Sequence, residues 1–338
     1  MNIAGRDLKK VRILIAELGS NHEGDPVLAL EMAVAAIEAG ADAVKVQIIV
    51  PEKLMNRNQI ERISQLTKFQ LSMDTFIRIG ELVHQKSRLF IASVFDLDSL
   101  ALILPYLDSI KIASGDLDFT PLLIDAAASG KPTIISTGMA TLEEIRDSIN
   151  VIDSHLPENQ TISASLALLH CISLYPTPSS EANLRLIPTL AQMFNLTTGY
   201  SDHTLGIESA IISLALDARI IEKHFTMDKT RKTFRDHALS VDPIELRRLA
   251  EIVHGFDQII GSGEKIISPA EAEMTKMARR SIVAARDLPA GKKLSDTDLD
   301  CLRPRAAGLA PQKLSLLLGR SLRIPLNKHD SILEEHLV

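Results

Sequence analysis

Short β-branched runs alternate with longer amphipathic stretches along the chain as far as Ile260, and the alternation sets the expected fold. Eight such runs stand out: VRILIAEL, DAVKVQI, LFIASV, SIKIAS, PTIIST, LALLHC, NLTTGY and ARIIEKH. Each precedes a segment with helix signals, such as GDPVLALEMAVAAIEAG or TLEEIRDSINVI. Apolar runs of this length that alternate with helical periodicity are the mark of repeated βα units around a parallel sheet. Eight strands each feeding a helix predict an α/β fold of the (β/α)8 TIM-barrel type, with an open doubly wound sheet as the alternative. After Ile260 the pattern changes. GSGEKIISPAEAEMTKMARRS is polar and helix-poor at its start and reads as a linker. SIVAARDLPAGKKLSDTDLDCLRPRAAGLAP then alternates apolar and polar residues around small-residue turns, which predicts a compact β-rich module that leans on a partner surface.

Composition narrows the class. The 338 residues are 46% hydrophobic and 24% charged, ample for a core and inconsistent with disorder. A formal charge of −6 argues against a general nucleic-acid or anionic-membrane surface, so any phosphate site must be built locally. The two cysteines, Cys171 and Cys301, lie far apart without disulfide spacing, which predicts reduced thiols and a cytoplasmic protein, and neither has a catalytic look. The first apolar run is too short for a signal segment and ends in Glu17, and no stretch approaches the roughly 18 apolar residues of a membrane helix.

In a barrel of this kind the carboxyl ends of the strands converge on one rim and catalytic groups come from several strands at once. The first strand ends in Glu17, the second carries Lys45 and Gln47, the third Ser93, and the fourth Lys111, Ser114 and Asp116. The fifth supplies Ser136 and Thr137 before Gly138, the sixth His170, Ser173 and Tyr175, the seventh Ser201, Asp202 and His203, and the eighth Glu222 and His224. A single lysine within an apolar strand is as well explained by snorkelling or an ion pair. Two lysines on neighbouring strands, with serines after strands four and five and Gly138 opening a helix, favour a bound phosphate. His203 and His224 close neighbouring strands, and each has an acid nearby, Asp202 and Glu222. Two imidazoles so placed can reach one divalent ion, with the carboxylates as their partners and open positions left for water and substrate. Glu17 is placed to act as general base, its bland alternative being a pair with Lys45. Asp236 and His237, after strand eight, suit hydrogen bonds to a polyhydroxy substrate.

At these residues the chain resembles the N-acetylneuraminate (sialic acid) synthase family over almost its whole length. The motifs are AELGSNHEG, AVKVQ, KIASGD, ISTGM, LLHCISLYPTP, YSDHT and EKHFT, in the family's order, and the C-terminal module is similar to its antifreeze-like (SAF) domain. The resemblance implies a synthase barrel over residues 1–261, a linker over 262–279 and a SAF domain over 280–338. It implies condensation of phosphoenolpyruvate with an N-acylated hexosamine aldehyde, typically N-acetylmannosamine. The product is a nine-carbon 2-keto acid, and phosphate leaves by C–O cleavage. His203 and His224 would hold Mn2+, or Mg2+ or Co2+. Lys45, Lys111, Ser114, Ser136, Tyr175 and Ser201 would surround phosphoenolpyruvate, Glu17 would serve the water and intermediate steps, and Glu222 and Asp236 would bind acceptor hydroxyls. Arg303 matches the arginine that reaches into the other subunit's barrel, which implies a domain-swapped homodimer. Three departures fall where the acceptor should lie: Asp116 for glutamate, Ser173 for asparagine, and KTFRDH for a Pro-Gly-Pro approach to Asp236. They leave sialic, legionaminic, pseudaminic and deaminated products open. A metal-dependent hydrolase on the same barrel and a sugar-binding or ice-binding protein without catalysis are the rival readings.

Overall fold

The computed structural model describes residues 1–305 and 308–338. The chain forms two compact units, Met1–Gly261 and Ser262–Val338.

All eight expected runs become strands of one closed parallel barrel, not an open sheet. They are β1 (Ile13–Glu17), β2 (Ala43–Ile48), β3 (Leu89–Val94), β4 (Ser109–Ile112), β5 (Thr133–Ser136), β6 (Leu166–Cys171), β7 (Thr197–Asp202) and β8 (Ile220–His224), and β8 closes the ring by pairing with β1. Residue period two sorts the side chains. Ile13 and Ile15, Leu89 and Ile91, Ile134, Ala167 and Leu169, and Ile220 form one apolar cluster. Their sequence neighbours, including Leu14, Ala16, Val44, Val46, Phe90, Ala92 and Ile221, pack with the helices in a second, larger cluster. Alternation along a strand therefore gives an inner and an outer core.

An N-terminal hairpin, Asn2–Ile3 with Arg6–Asp7, was not anticipated from the sequence. Met1, Ile3 and Leu8 join the inner apolar cluster, so this segment closes the floor of the barrel.

The helices begin where their caps dictate. Asp25 accepts from the amides of Val27 and Leu28 ahead of Pro26–Glu38, and Thr141 and Glu144 form a capping box ahead of Leu142–Asp153. Asp242 and Glu245 form another at the start of Pro243–Ile260. In the AGADAV turn, Gly40 has φ +102°, a conformation that a side chain would strain, and an added Cβ would lie 2.9 Å from Ala250 Cβ.

In the second unit β9 (Ser281–Ala284) pairs antiparallel with β10 (Leu299–Leu302) over a core that includes Ile282, Leu288, Leu317, Leu322 and Ile332. The stretch expected to be a linker carries a helix, Pro269–Ala278, whose N-cap Ser268 accepts from the Glu271 amide. None of its residues is buried. Among the described residues no helix is long and apolar enough to cross a membrane.

Candidate active site

Above the apolar floor the inward positions change character within one or two residues. Ile15 gives way to Glu17, Ala43 to Lys45, Ile91 to Ser93, Ile134 to Ser136, Leu169 to Cys171 and Ile220 to Glu222 and His224. The register places Glu17 beside both Lys45 and His224, Ser93 beside Lys111, and Glu222 beside Ser201. All of these polar side chains but Glu17 open into a cavity of about 460 Å³ at the carboxyl rim. Lys45, Lys111, Ser114, Ser136, Ser173, Tyr175, Ser201, His203, Glu222 and His224 all line it, with Gln47, Ser93, Phe95, Cys171 and Arg235 among their neighbours.

One side of the cavity is cationic. The Lys45 ammonium touches the Glu17 carboxylate, donates to Ser93 Oγ at 3.3 Å, and lies 3.7 Å from Glu222 Oε1. Lys111 donates to Ser136 Oγ at 2.6 Å and to the Ile112 carbonyl at 3.2 Å, and lies 3.9 Å from Glu222 Oε2. The Ser201 hydroxyl donates to Glu222 Oε1 at 3.0 Å. Ser114 Oγ accepts from the Gly138 amide at 3.0 Å, and an added Cβ on Gly138 would sit 2.4 Å from Ser173 Oγ, so only glycine lets this backbone approach so closely.

The two buried carboxylates differ in ionisation. Burial lifts the Glu17 pKa, and Lys45 offsets this only in part. For Glu222 burial acts the same way, but Lys111 and Lys45 together, aided by Ser201, hold it below its ordinary value. At Glu17 burial thus outweighs Lys45, and at Glu222 the two lysines outweigh burial. Burial also lowers the Lys111 pKa, while Glu17 and Glu222 overcome burial at Lys45 and raise it.

The other side is aromatic. His203 and His224 have ring centroids 5.3 Å apart, and Tyr175 lies 4.1 Å from His203 and 6.1 Å, edge-on, from His224. His203 Nδ1 bonds to the Ile172 carbonyl at 2.8 Å, which leaves Nε2 as the bare nitrogen. His224 Nδ1 is buried without a hydrogen-bond partner, 3.8 Å from Asp236 Oδ2. Burial, with the Lys45 ammonium adding to it, pushes the His224 pKa well down, so the ring is neutral. Two imidazoles with available lone pairs have the donor chemistry for a divalent ion. No group of three or more His, Cys, Asp or Glu side chains that could hold a metal ion occurs among the described residues.

Several expectations need revision. Asp202 does not serve His203. It accepts from Lys223 Nζ at 2.9 Å and from the Thr204 amide and hydroxyl at 2.8 Å, on the opposite face of the strand. Glu222 faces the lysines, not a histidine. Asp116 stands in the turn Ser114–Asp116, off the cavity lining, where burial and then Asp118 raise its pKa to about 6. Glu17 and Asp236 lie behind the wall, against Lys45 and His224. Arg303 is exposed in the second unit, one residue beyond β10. Cys171, dismissed on composition, lines the cavity with Sγ 3.7 Å from His203 Nδ1. Arg235 was overlooked because nothing in a loop sequence marks which cation turns toward a cavity.

A closed (β/α)8 barrel with a polar, multi-strand constellation at its carboxyl rim defines a barrel enzyme of the kind whose chemistry is built from strand ends. Its matches are specific. The NeuB family model covers residues 32–265, and a SAF domain model covers residues 279–338. The chain belongs to the NeuB family. It is 37% identical to the N,N'-diacetyllegionaminic acid synthase of Legionella pneumophila, over 96% of this chain and 94% of that one. It is 31% identical to a pseudaminic acid synthase of Campylobacter jejuni, over 99% of both chains. The solved N-acetylneuraminic acid synthetase of Leptospira borgpetersenii superposes with a TM-score of 0.71 at 33% identity, covering 78% of this chain and 90% of that chain.

Proposed function

We propose that this protein condenses phosphoenolpyruvate with an N-acylated hexosamine, N-acetylmannosamine or a related sugar, to give a nonulosonic acid and free phosphate. The observation that carries this reading is one cavity with two buried lysines beside serine hydroxyls on one wall and two facing imidazoles on the other. Lys45 and Lys111, with Ser114, Ser136 and Ser201, would hold the carboxylate and phosphate of the donor. His203 and His224 would hold Mn2+, or Mg2+ or Co2+, which when bound supplies Lewis acidity toward the acceptor's aldehyde oxygen. C3 of the enol forms the new bond to the aldehyde carbon, water adds at C2, and the C2–O bond to phosphate breaks. Glu17, whose proton affinity burial raises, would serve the proton transfers of the water step from behind Lys45, whose ammonium it touches. Tyr175 packs against His203 and would narrow the space open to the sugar. Glu222 and Asp236 would receive its hydroxyls.

Against the hydrolase reading, His22, the extra histidine of the first loop, does not join the pair. It is buried, burial lowers its pKa to about 4, and its Nδ1 accepts from the Gly24 amide. A domain-swapped homodimer that brings Arg303 to the acceptor belongs to the proposal, as does a reducing, cytoplasmic setting, which the two unpaired thiols support.

The test is an assay with phosphoenolpyruvate, Mn2+ and a panel of hexosamines, following phosphate and 2-keto acid together. Phosphate without keto acid would indicate a phosphatase, and silence across the panel would support the scaffold. His203→Ala should remove ion-dependent turnover while the thermal transition is retained. Undiminished activity would end the metal reading.

A further inference from the structure

We infer that Phe69, outside the cavity in the long loop after β2, is a positioning residue for the acceptor side of the site, acting through Phe234 on Arg235 and Asp236. This rests on the condensation reading above and extends it to a residue that touches neither substrate. The loop contains the helix Ile60–Phe69, whose Ile63, Leu66 and Phe69 share one face, yet only Leu66 is buried. So little apolar burial leaves the helix dependent on the contacts at its end. There Phe69, its last residue, meets the buried Phe234 edge-on, with ring centroids 5.3 Å apart and planes at 66°. The pair joins the loop after β2 to the loop after β8.

Phe234 immediately precedes the turn Arg235–Ala238. The two residues that follow it reach the site in different places. Arg235 lines the cavity with its guanidinium carbon 4.7 Å over the Tyr175 ring, and Asp236 Oδ2 lies 3.8 Å from His224 Nδ1. A displaced Phe234 ring would therefore carry a cation and a carboxylate with it. The first loop grips the same segment. Glu23 receives Arg231 at 3.1 Å, the Thr233 hydroxyl and, at 3.0 Å, His237 Nε2. It also presses on the helix end, since a Cβ added to Gly24 would collide with the Lys68 carbonyl oxygen. Leu66 and Phe69 enclose a small space with Ser20, His22 and Gln47, and Gln47 lines the cavity as well. Three loops, after β1, β2 and β8, thus lock together at the Phe69–Phe234 pair. Lys45, Lys111 and Ser136 stand on the strands themselves, so loosening this junction should spare the donor and fall on the acceptor.

The test uses F69L, which keeps apolar bulk but no ring edge, F69W, which keeps an aromatic edge, F234L and the F69L/F234L double variant. Initial rates are measured with each substrate varied, beside timed tryptic digestion. F69L should raise the hexosamine KM by about three- to tenfold, the range of an edge-on aromatic pair, and leave the phosphoenolpyruvate KM within about twofold. F69W should restore the wild-type value, and the double variant should be no worse than F234L. The segment from Lys229 to Arg235 offers trypsin Lys229, Arg231, Lys232 and Arg235. F69L should be cut there faster than the wild type while its thermal transition is retained. A hexosamine KM that does not move, a phosphoenolpyruvate KM that rises with it, or cutting at the wild-type rate would overturn the assignment. If the wild type turns over no hexosamine, the condensation reading fails and digestion still decides the junction. Faster cutting in F69L that F69W reverses supports it, and unaltered cutting refutes it.

Discussion

Lys223 and Asp202 meet on the outer face of the barrel wall, Nζ to Oδ2 at 2.9 Å, both wholly shielded from solvent. On β8 Lys223 sits between Glu222 and His224, and on β7 Asp202 sits between Ser201 and His203. The pair joins the two strand ends that present the facing imidazoles. Lys223 also donates to the Thr204 carbonyl at 2.5 Å. Lys223→Met would strand a buried carboxylate, and removing one partner of such a pair costs about 3–5 kcal/mol. Urea unfolding should show that loss, with the D202N/K223M double variant less destabilised than the sum of the single ones.

Glu17 should matter to turnover more than to binding. E17Q keeps the shape but not the proton, so kcat should fall by roughly 10²- to 10⁴-fold, the usual weight of a positioned acid or base. Because burial raises this carboxyl's pKa, the acid limb of the wild-type kcat profile should lie above the ordinary carboxylate range. E17Q should lack that limb, and a limb that persists unchanged would assign it to another group.

If Arg303 works in the other subunit's barrel, two inactive chains should rescue each other. Alone, R303A should lose acceptor affinity far more than phosphoenolpyruvate affinity, and H203A should be inactive. In a mixed dimer the H203A chain lends an intact Arg303 to the intact barrel of the R303A chain. Co-refolded mixtures should then recover turnover, and their failure to do so while forming dimers would count against the swap.

At the foot of the barrel His254 Nε2 meets Asp42 Oδ2 at 2.9 Å, and this hydrogen bond raises the histidine's pKa despite some burial. A raised folded-state value means the contact contributes fully below the unfolded value of 6.5 and fades as pH rises through the folded one. The wild type should therefore exceed H254Q in melting temperature by more in mildly acidic than in mildly alkaline buffer. The half-exposed histidine makes the gap small, and a gap that is constant with pH would rule out the linkage.

The barrel was readable because each strand is a short apolar run closed by polar residues, and the parallel register then brings those ends together. The same strands show where the reading stopped. Glu222, Lys223 and His224 look alike as a titratable triplet, yet adjacent strand residues face opposite sides. Lys223 and Asp202 therefore belong to the outer wall, and period two could have excluded Asp202 as a histidine partner. The helix Pro269–Ala278 was signalled by Ser268, Pro269 and Glu271, but the polar stretch before it hid the cap. Arg235 and the N-terminal hairpin carried no periodic signal, since a loop cation and a two-residue strand are placed by tertiary packing alone.

The hydrocarbon floor of Ile13, Ile91, Ile134 and Leu169 beneath Lys45 and Lys111 has a kinetic corollary. With no solvent below, any contact the two ammonium groups make beyond Glu17, Glu222 and their serine partners must come from the open end. Under the condensation proposed above, an anionic donor would therefore settle on this floor before the sugar, and initial-rate patterns with both substrates varied would show whether it does.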